Sequence, residues 1–241
     1  MRNVMILTRR ELSSYFVSPI AYVVIGLFVA ATGFFFASPV IGSFQTGGPA
    51  DMDWTFKVVP FILVLLIPVL AMRALAEEQG SGTIETLLTA PVTDVEVVLG
   101  KWLGCWLVYL VMLAPTALYL VAIATFGNPD YGPIASGYIG LALLGALYVA
   151  ISLWASSLTR NQVIAAVIGI ALLALLGWMA PIIGSVAPPP YRMIAQQLSI
   201  PAHADDFRSG VVDLTQIIYF VVFTAYMLFF TVKILESRRW R

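Results

Sequence analysis

Charge is scarce in this chain. Of 241 residues, 13 are basic and 13 acidic, 11% in all, where soluble domains carry about 25%. Hydrophobic residues make up 60%, and the mean hydropathy is +0.92. A water-soluble fold of this size cannot hide so much apolar surface, so lipid is the solvent for most of it. The zero formal net charge lacks the basic excess of a nucleic-acid binder. One cysteine, Cys105, excludes an internal disulfide and any multi-thiolate metal site. No phosphate-cradling G-x-x-x-x-G-K-[ST] occurs, since Gly100-Lys101 runs into Trp102 with no glycine-rich lead. No Ser/His/Asp or Cys/His set assembles, so catalysis has no candidate groups. No carboxylate, His or Lys falls at the centre of an apolar run, which removes the usual basis of ion coupling. With both energy sources missing, work must come from a partner. No cleaved signal peptide is expected, because the first apolar run starts near Ile20, is too long and lacks a small-residue cleavage site.

What is present is six long apolar runs, approximately residues 20–38, 55–75, 99–125, 134–158, 163–185 and 214–235. Each is long enough to cross a core of about 30 Å at about 1.5 Å rise per residue. A mid-helix charge costs about 2.5–3.5 kcal/mol on the insertion scale, and every charge here lies at an end. Pro60, Pro68 and Pro115 lie inside runs and mark kinks, because neighbouring helices can satisfy the freed carbonyls. With the N-terminus inside, Arg2, Arg9, Arg10, Arg73, Lys101, Arg160, Lys233, Arg238, Arg239 and Arg241 are cytoplasmic, and only Lys57, Arg192 and Arg208 are outside. Ten cations against three obeys the positive-inside rule and predicts both termini in the cytoplasm. The outer stretch 42–54 reads as irregular, and the long outer loop 186–213 as carrying a short surface helix around YRMIAQQLSI. No repeat or domain boundary appears, so residues 1–241 form one all-α, polytopic membrane domain.

Residues 2–16 precede the first span. On a helical wheel Val4, Met5, Thr8, Leu12, Tyr15 and Phe16 share one arc, and Arg2, Arg9, Arg10, Ser13 and Ser14 another, with Ile6 out of pattern. That is the pattern of a helix in the interface plane; a short basic anchor that orients the first span is the plainer alternative.

The most informative stretch is the polar island from Arg73 to Lys101, with five of the 13 acidic residues between two spanning runs. Gly80, Ser81 and Gly82 break the chain after span two. Ile84, Leu87 and Leu88 follow at i, i+3, i+4 and form a small apolar face, with Glu85 in the first turn favouring the helix dipole. Pro91 ends this short helix by denying Ala90 the helical region. Thr93-Asp94-Val95-Glu96 reads as a capping box that starts the helix of span three. A two-turn helix is marginal alone, so it docks either on its own bundle at the interface or in a groove of a soluble partner.

The island's Glu77, Glu78, Gly82, Thr83, Glu85, Leu87, Leu88, Pro91 and Gly100-Lys101 resemble the first cytoplasmic loop of ABC-2 type permeases. RRELSSYFVSPIAYVV near the start and DFRSGVVDLTQIIYFVVFTAYMLFFTVKILESRRW at the end resemble the gliding-motility-associated permease subfamily. The resemblance runs over essentially the whole chain. It implies that residues 2–16, with Arg2, Arg9, Arg10, Tyr15 and Phe16, are an elbow helix at the inner leaflet. It implies that residues 83–90 are a coupling helix, with Thr83, Ile84, Glu85, Thr86, Leu87, Leu88 and Pro91 at the ATPase contact. It further implies an outer re-entrant or gate element after Ser185, and a dimer of six-span units, of the same or different chains, in a bacterial inner membrane. The partners implied are a pair of ABC ATPase subunits that bind ATP and Mg, and an auxiliary membrane protein with a large extracytoplasmic domain. The chain itself is then no enzyme and carries no cofactor. Its function would be the permease subunit of an ATP-driven exporter. The alternative is a mechanotransmission subunit that drives an extracytoplasmic partner without moving cargo, and an intramembrane enzyme or passive scaffold is a third class.

Other residues admit two readings. Arg73, Glu77 and Glu78 fit an i, i+4 ion pair at the helix end and fit a cytosolic gate equally well. Gly100-x-x-x-Gly104 and Ala165-x-x-x-Gly169 permit close helix approach, inside one bundle or at a dimer seam; the resemblance places Ala165 and Gly169 at the seam. His203, Asp205 and Asp206 in the outer loop read as solvated, with no metal site expected. Phe34, Phe35, Phe36, Trp102, Trp106, Trp178 and Trp240 read mostly as interfacial belts.

Overall fold

The computed structural model describes residues 2–46, 52–83, 92–126, 129–189 and 191–239. These residues are helical with short connections, and no strand occurs among them. Helix α1 (Arg2–Val17) precedes α2 (Pro19–Thr46), which contains span one. Span two, Asp53–Ser81, is α3 (Asp53–Ala71) followed by α4 (Arg73–Ser81). Span three, Asp94–Thr125, joins α5 (Asp94–Leu113) to α6 (Ala117–Phe126) through a 3-10 turn at Ala114–Thr116. Span four is α7 (Tyr131–Leu158). Span five, Gln162–Val186, is α8 (Gln162–Ala174), a π-helical turn at Leu175–Met179, and α9 (Ala180–Val186). Two short helices, α10 (Tyr191–Leu198) and α11 (Ile200–Arg208), lead to α12 (Leu214–Arg239), which holds span six.

Local chemistry sets most of these ends. The capping box is formed: Thr93 Oγ1 accepts from the Glu96 N–H at 3.3 Å, and Glu96 Oε2 accepts from the Thr93 N–H at 3.1 Å. The helix of span three therefore begins at Asp94, five residues before the apolar run alone suggests. At the end of span two the helix continues through Gly80 and Ser81 and stops at Gly82, in the left-handed region with φ 74°; only glycine takes that conformation freely. Pro115 tightens span three into the 3-10 turn without ending it. The first distal connection is shorter than the sequence implies, because α2 runs to Thr46 and α3 starts at Asp53.

The spans are unequal. Over an apolar 18-residue window of each span, 72% of span four and 61% of span two is buried within the chain, against 33% for spans three and five and 28% for spans one and six. Spans two and four thus form the centre. Glycines make this possible by letting a ring settle against the span-four backbone. A Cβ on Gly137 would stand 2.7 Å from the Phe56 ring, one on Gly140 2.7 Å from Phe207 Cβ, and one on Gly145 would overlap the Tyr109 ring outright. Span three is also tied to span four by three donors aimed at its backbone: Trp102 Nε1 to Ala146 O (3.0 Å), Trp106 Nε1 to Ala142 O (3.0 Å) and Tyr109 OH to Leu141 O (2.7 Å). Trp102 and Trp106, expected in an interfacial belt, are instead stacked on one another at 5.7 Å and bonded across the bundle. Phe36 likewise stacks on Tyr119 at 4.5 Å, while Phe34 stays exposed. Trp240 lies outside the described residues.

The junction between α3 and α4 at Met72 is made by a side chain from span four. Ser156 Oγ accepts from the Leu75 and Ala76 N–H groups (3.2 and 3.0 Å) and donates to the Met72 carbonyl (2.9 Å). In an unbroken helix those two N–H groups would bond Ala71 and Met72, so the inserted hydroxyl opens the ladder and fills the gap. Ser156→Ala leaves up to three buried groups without a partner, each worth about 1–3 kcal/mol. The expected result is a lowered thermal midpoint in detergent and faster hydrogen exchange at the Leu75 and Ala76 amides. Unchanged exchange there would mean the junction closes its own ladder.

Candidate functional site at the island end of the bundle

The described residues flanking the island converge on one polar nest. Lys101 lies two turns into α5, and its side chain is only 4% exposed. Its ammonium sits between two carboxylates, Glu11 of α1 at 2.9 Å and Glu78 of α4 at 2.8 Å. One buried cation thus holds α1, the end of span two and the start of span three together. Beside it Arg73 pairs with Glu77 through two bonds of 2.7 and 3.1 Å and donates to Ser18 Oγ at 2.6 Å, fastening α4 to the α1–α2 corner. A cleft of about 260 Å³ opens between these groups, with Arg10, Ser14 and Thr83 on its wall. The cleft is lined by three acids and three bases, and Glu78 Oε2 has no hydrogen-bond partner among the described residues.

The sequence places Lys101 here by way of the glycines on either side of it. A Cβ on Gly100 would stand 2.6 Å from Leu7 Cβ, and one on Gly104 2.7 Å from Glu11 Cβ. The Gly100-x-x-x-Gly104 motif is therefore the seat of α1 on span three, within one chain. Asn3 Nδ2 donates to Glu96 (3.2 Å), Thr8 Oγ1 reaches the Gly100 carbonyl (3.4 Å), and the Tyr15 hydroxyl meets Cys105 Sγ (2.9 Å). Burial pushes the Tyr15 phenol well above its ordinary pKa, so it stays protonated. The arc of Val4, Thr8, Leu12 and Tyr15 expected to face acyl chains thus partly faces protein, whereas Met5, Ile6 and Val17 are the exposed large apolar residues of α1. Arg2, Arg9 and Arg10 are exposed, and Phe16 packs edge-on to Tyr22 at 6.5 Å.

The other sequence-derived candidates fall as follows. Ile84, Glu85, Thr86, Leu87, Leu88 and Pro91 lie outside the described residues. Thr83 shares a bond of 2.9 Å with Ser81. Arg73 and Glu77 form the i, i+4 pair, while Glu78 turns to Lys101. Ala165 and Gly169, placed by resemblance at a dimer seam, lie inside this chain's own bundle: Ala165 is buried, and a Cβ on Gly169 would stand 3.0 Å from Pro68 of span two. In the first turns of that span Val163, Ile164 and Val167 are exposed instead. His203, Asp205 and Asp206 are not brought together. His203 bonds the Ser199 carbonyl (2.9 Å) and stacks on Tyr219, Asp205 pairs with Arg208, and Asp206 accepts from Gln216 (2.8 Å). Glu11 and Lys101 went unnoticed as a pair in the sequence. Glu11 is the only acid in α1 and Lys101 the only cation within span three, and that scarcity is the signal the sequence offers.

Six candidate spans among the described residues, four of them packed around the two most buried, with an ion-paired nest at one end, define a polytopic α-helical membrane protein. The family model described as ABC-2 family transporter protein matches residues 14–237, and the chain belongs to that family. It is accordingly the membrane component of an ABC transporter, a class that associates with an ABC ATPase and is generally not itself catalytic. Comparison with curated proteins gives no match.

Proposed function

We propose that this chain is a permease subunit that accepts mechanical work from a pair of ATPase subunits at residues 83–90 and passes it to spans two and three. One observation carries this reading: both ends of the connecting stretch are rigidly held. Gly82 caps α4, the Thr93 box caps α5, and Lys101 ties the two helices to each other and to α1. A push on the stretch between them therefore moves α4 and α5 as one body. ATP and Mg belong to the partner subunits, and this chain supplies no cofactor. Its place is the inner membrane of a bacterium with both termini cytoplasmic, supported by the ten-to-three bias in cations. The stretches RRELSSYFVSPIAYVV and DFRSGVVDLTQ support the gliding-motility-associated subfamily. Residues 1–241 act as one domain that pairs with a second permease copy or a related half. The cargo is exported; a sealed dimer bound to an auxiliary extracytoplasmic protein would instead favour transmission of motion alone.

The test is Leu87→Glu with Leu88→Glu in the reconstituted complex. Each buried leucine is worth about 1.5–3 kcal/mol, so loss of both is expected to weaken ATPase docking at least about tenfold and to abolish permease-stimulated hydrolysis. Membrane insertion stays intact, since neither residue is in a span. Wild-type stimulation in the double variant rules out this contact.

A further inference from the structure

The three cations at the end of the bundle opposite the nest, Lys57, Arg192 and Arg208, all line a single cavity of about 620 Å³. It opens between the far ends of spans two, four and five, roofed by α10 and α11. We infer that this cavity is a binding site for a membrane-borne amphiphile with an anionic head and an apolar tail.

Charge and depth both point there. Lys57 pairs with Asp53 (2.8 Å), and Arg208 pairs with Asp53 and Asp205. Three cations against two acids leave one net positive charge. It rests on Arg192, whose guanidinium has no ion pair or hydrogen bond among the described residues. Ser199 also lines the cavity; it is 1% exposed, and its hydroxyl is buried without a hydrogen-bond partner among the described residues. A phosphate or carboxylate head in the cavity would pair with the exposed Arg192 guanidinium, with the Ser199 hydroxyl an unpaired donor buried in the wall of the same cavity. Below this polar rim the walls turn apolar, with Phe56, Pro60, Phe61, Leu141 and Pro181. Phe61 lies eight residues into α3 and Leu141 ten residues into α7, about 12 and 15 Å below the helix starts at about 1.5 Å per residue. The site thus runs from headgroup level to acyl-chain depth, which suits an amphiphile and is far deeper than a free anion needs. Trp54 and Phe61, which line it, are 48% and 43% exposed, so the cavity is open on the side of span two that a bilayer would meet. The inference stands on this cavity alone, whether or not residues 83–90 contact an ATPase.

The test uses the full chain reconstituted in vesicles, with dibrominated phosphatidylglycerol or dibrominated phosphatidylcholine as quencher. The signal is the Trp54 contribution, taken as the difference between wild type and Trp54→Phe. One cation near the surface is worth about 1 kcal/mol toward an anionic lipid, so phosphatidylglycerol is expected to quench at about fivefold lower mole fraction. Arg192→Gln should remove that preference and Arg192→Lys should retain it; neither breaks an internal contact, so both variants fold. Glycerol phosphate in the buffer should not compete. Equal quenching by the two lipids, or an unchanged preference in Arg192→Gln, overturns the inference. Competition by glycerol phosphate overturns it in favour of a free-anion site. No quenching by either lipid, as a second copy of the chain seated over the mouth would give, also overturns it.

Discussion

Lys101→Met is expected to be among the most damaging single substitutions in the chain. It removes the only ammonium between Glu11 and Glu78, whose side chains are 14% and 16% exposed, and leaves two mostly buried carboxylates without their shared cation. Breaking a buried pair by deleting one partner costs about 3–5 kcal/mol. The measurable result is a fall of about 6–20 °C in the thermal midpoint, taking about 2–4 °C per kcal/mol for a chain of this size. Detachment of α1 from α5 should accompany it, seen as loss of a cross-link between cysteines placed at positions 3 and 96. The cause is separated from simple loss of packing by a second variant. Lys101→Met with Glu11→Gln and Glu78→Gln removes the stranded charges, and replacing a whole buried ion cluster is often neutral. The triple variant is expected to recover most of the midpoint while coupling to the ATPase stays impaired. If it is no more stable than Lys101→Met, the nest is not held together by charge.

Gly145→Ala ranks beside it for a steric reason. The new methyl overlaps the Tyr109 ring, which is fully buried and bonded to the Leu141 carbonyl, so the ring has nowhere to go. Overpacking a filled core costs about 1–3 kcal/mol and occasionally more; with the ring fixed, the upper end is expected, read as lost expression and a lower midpoint. Tyr109→Ala alone opens a cavity and is also destabilising. The double variant puts the methyl into that cavity, so its midpoint should be well above the sum of the two single losses. Additive losses would show that spans three and four are not in contact at this point.

Much of the island's frame was legible from short-range patterns. Thr93 and Glu96 form a cap because a hydroxyl and a carboxylate three residues apart can reach each other's backbone N–H with no help from the rest of the fold. The Arg73–Glu77 pair is equally local. Lys101 was legible only as a cation on the island side. That it is buried between Glu11 and Glu78 depends on residues 90 and 23 positions away meeting at one point, and spacing carries no trace of that. The two small-residue motifs show the same limit. Gly100 and Gly104 receive α1 and Gly169 receives Pro68 of span two, but small-xxx-small states that something approaches closely and never what. The seats in span four, Gly137, Gly140 and Gly145, take rings from three separate elements, so no single helical period joins them.

The sequence by itself determined that the chain is a lipid-embedded helical body with six crossings and a polar stretch between the second and third. Those conclusions rest on run length and on the cost of placing charges and open backbone groups in hydrocarbon, which composition alone decides. Only the tertiary structure decided that spans two and four are central, that α1 is riveted to span three, and that the three distal cations share one cavity. The reason lies in the solvent. In lipid every span is about equally apolar on all sides, so hydropathy cannot rank them, and helix order is set by which backbone can admit which ring and which ion finds a partner.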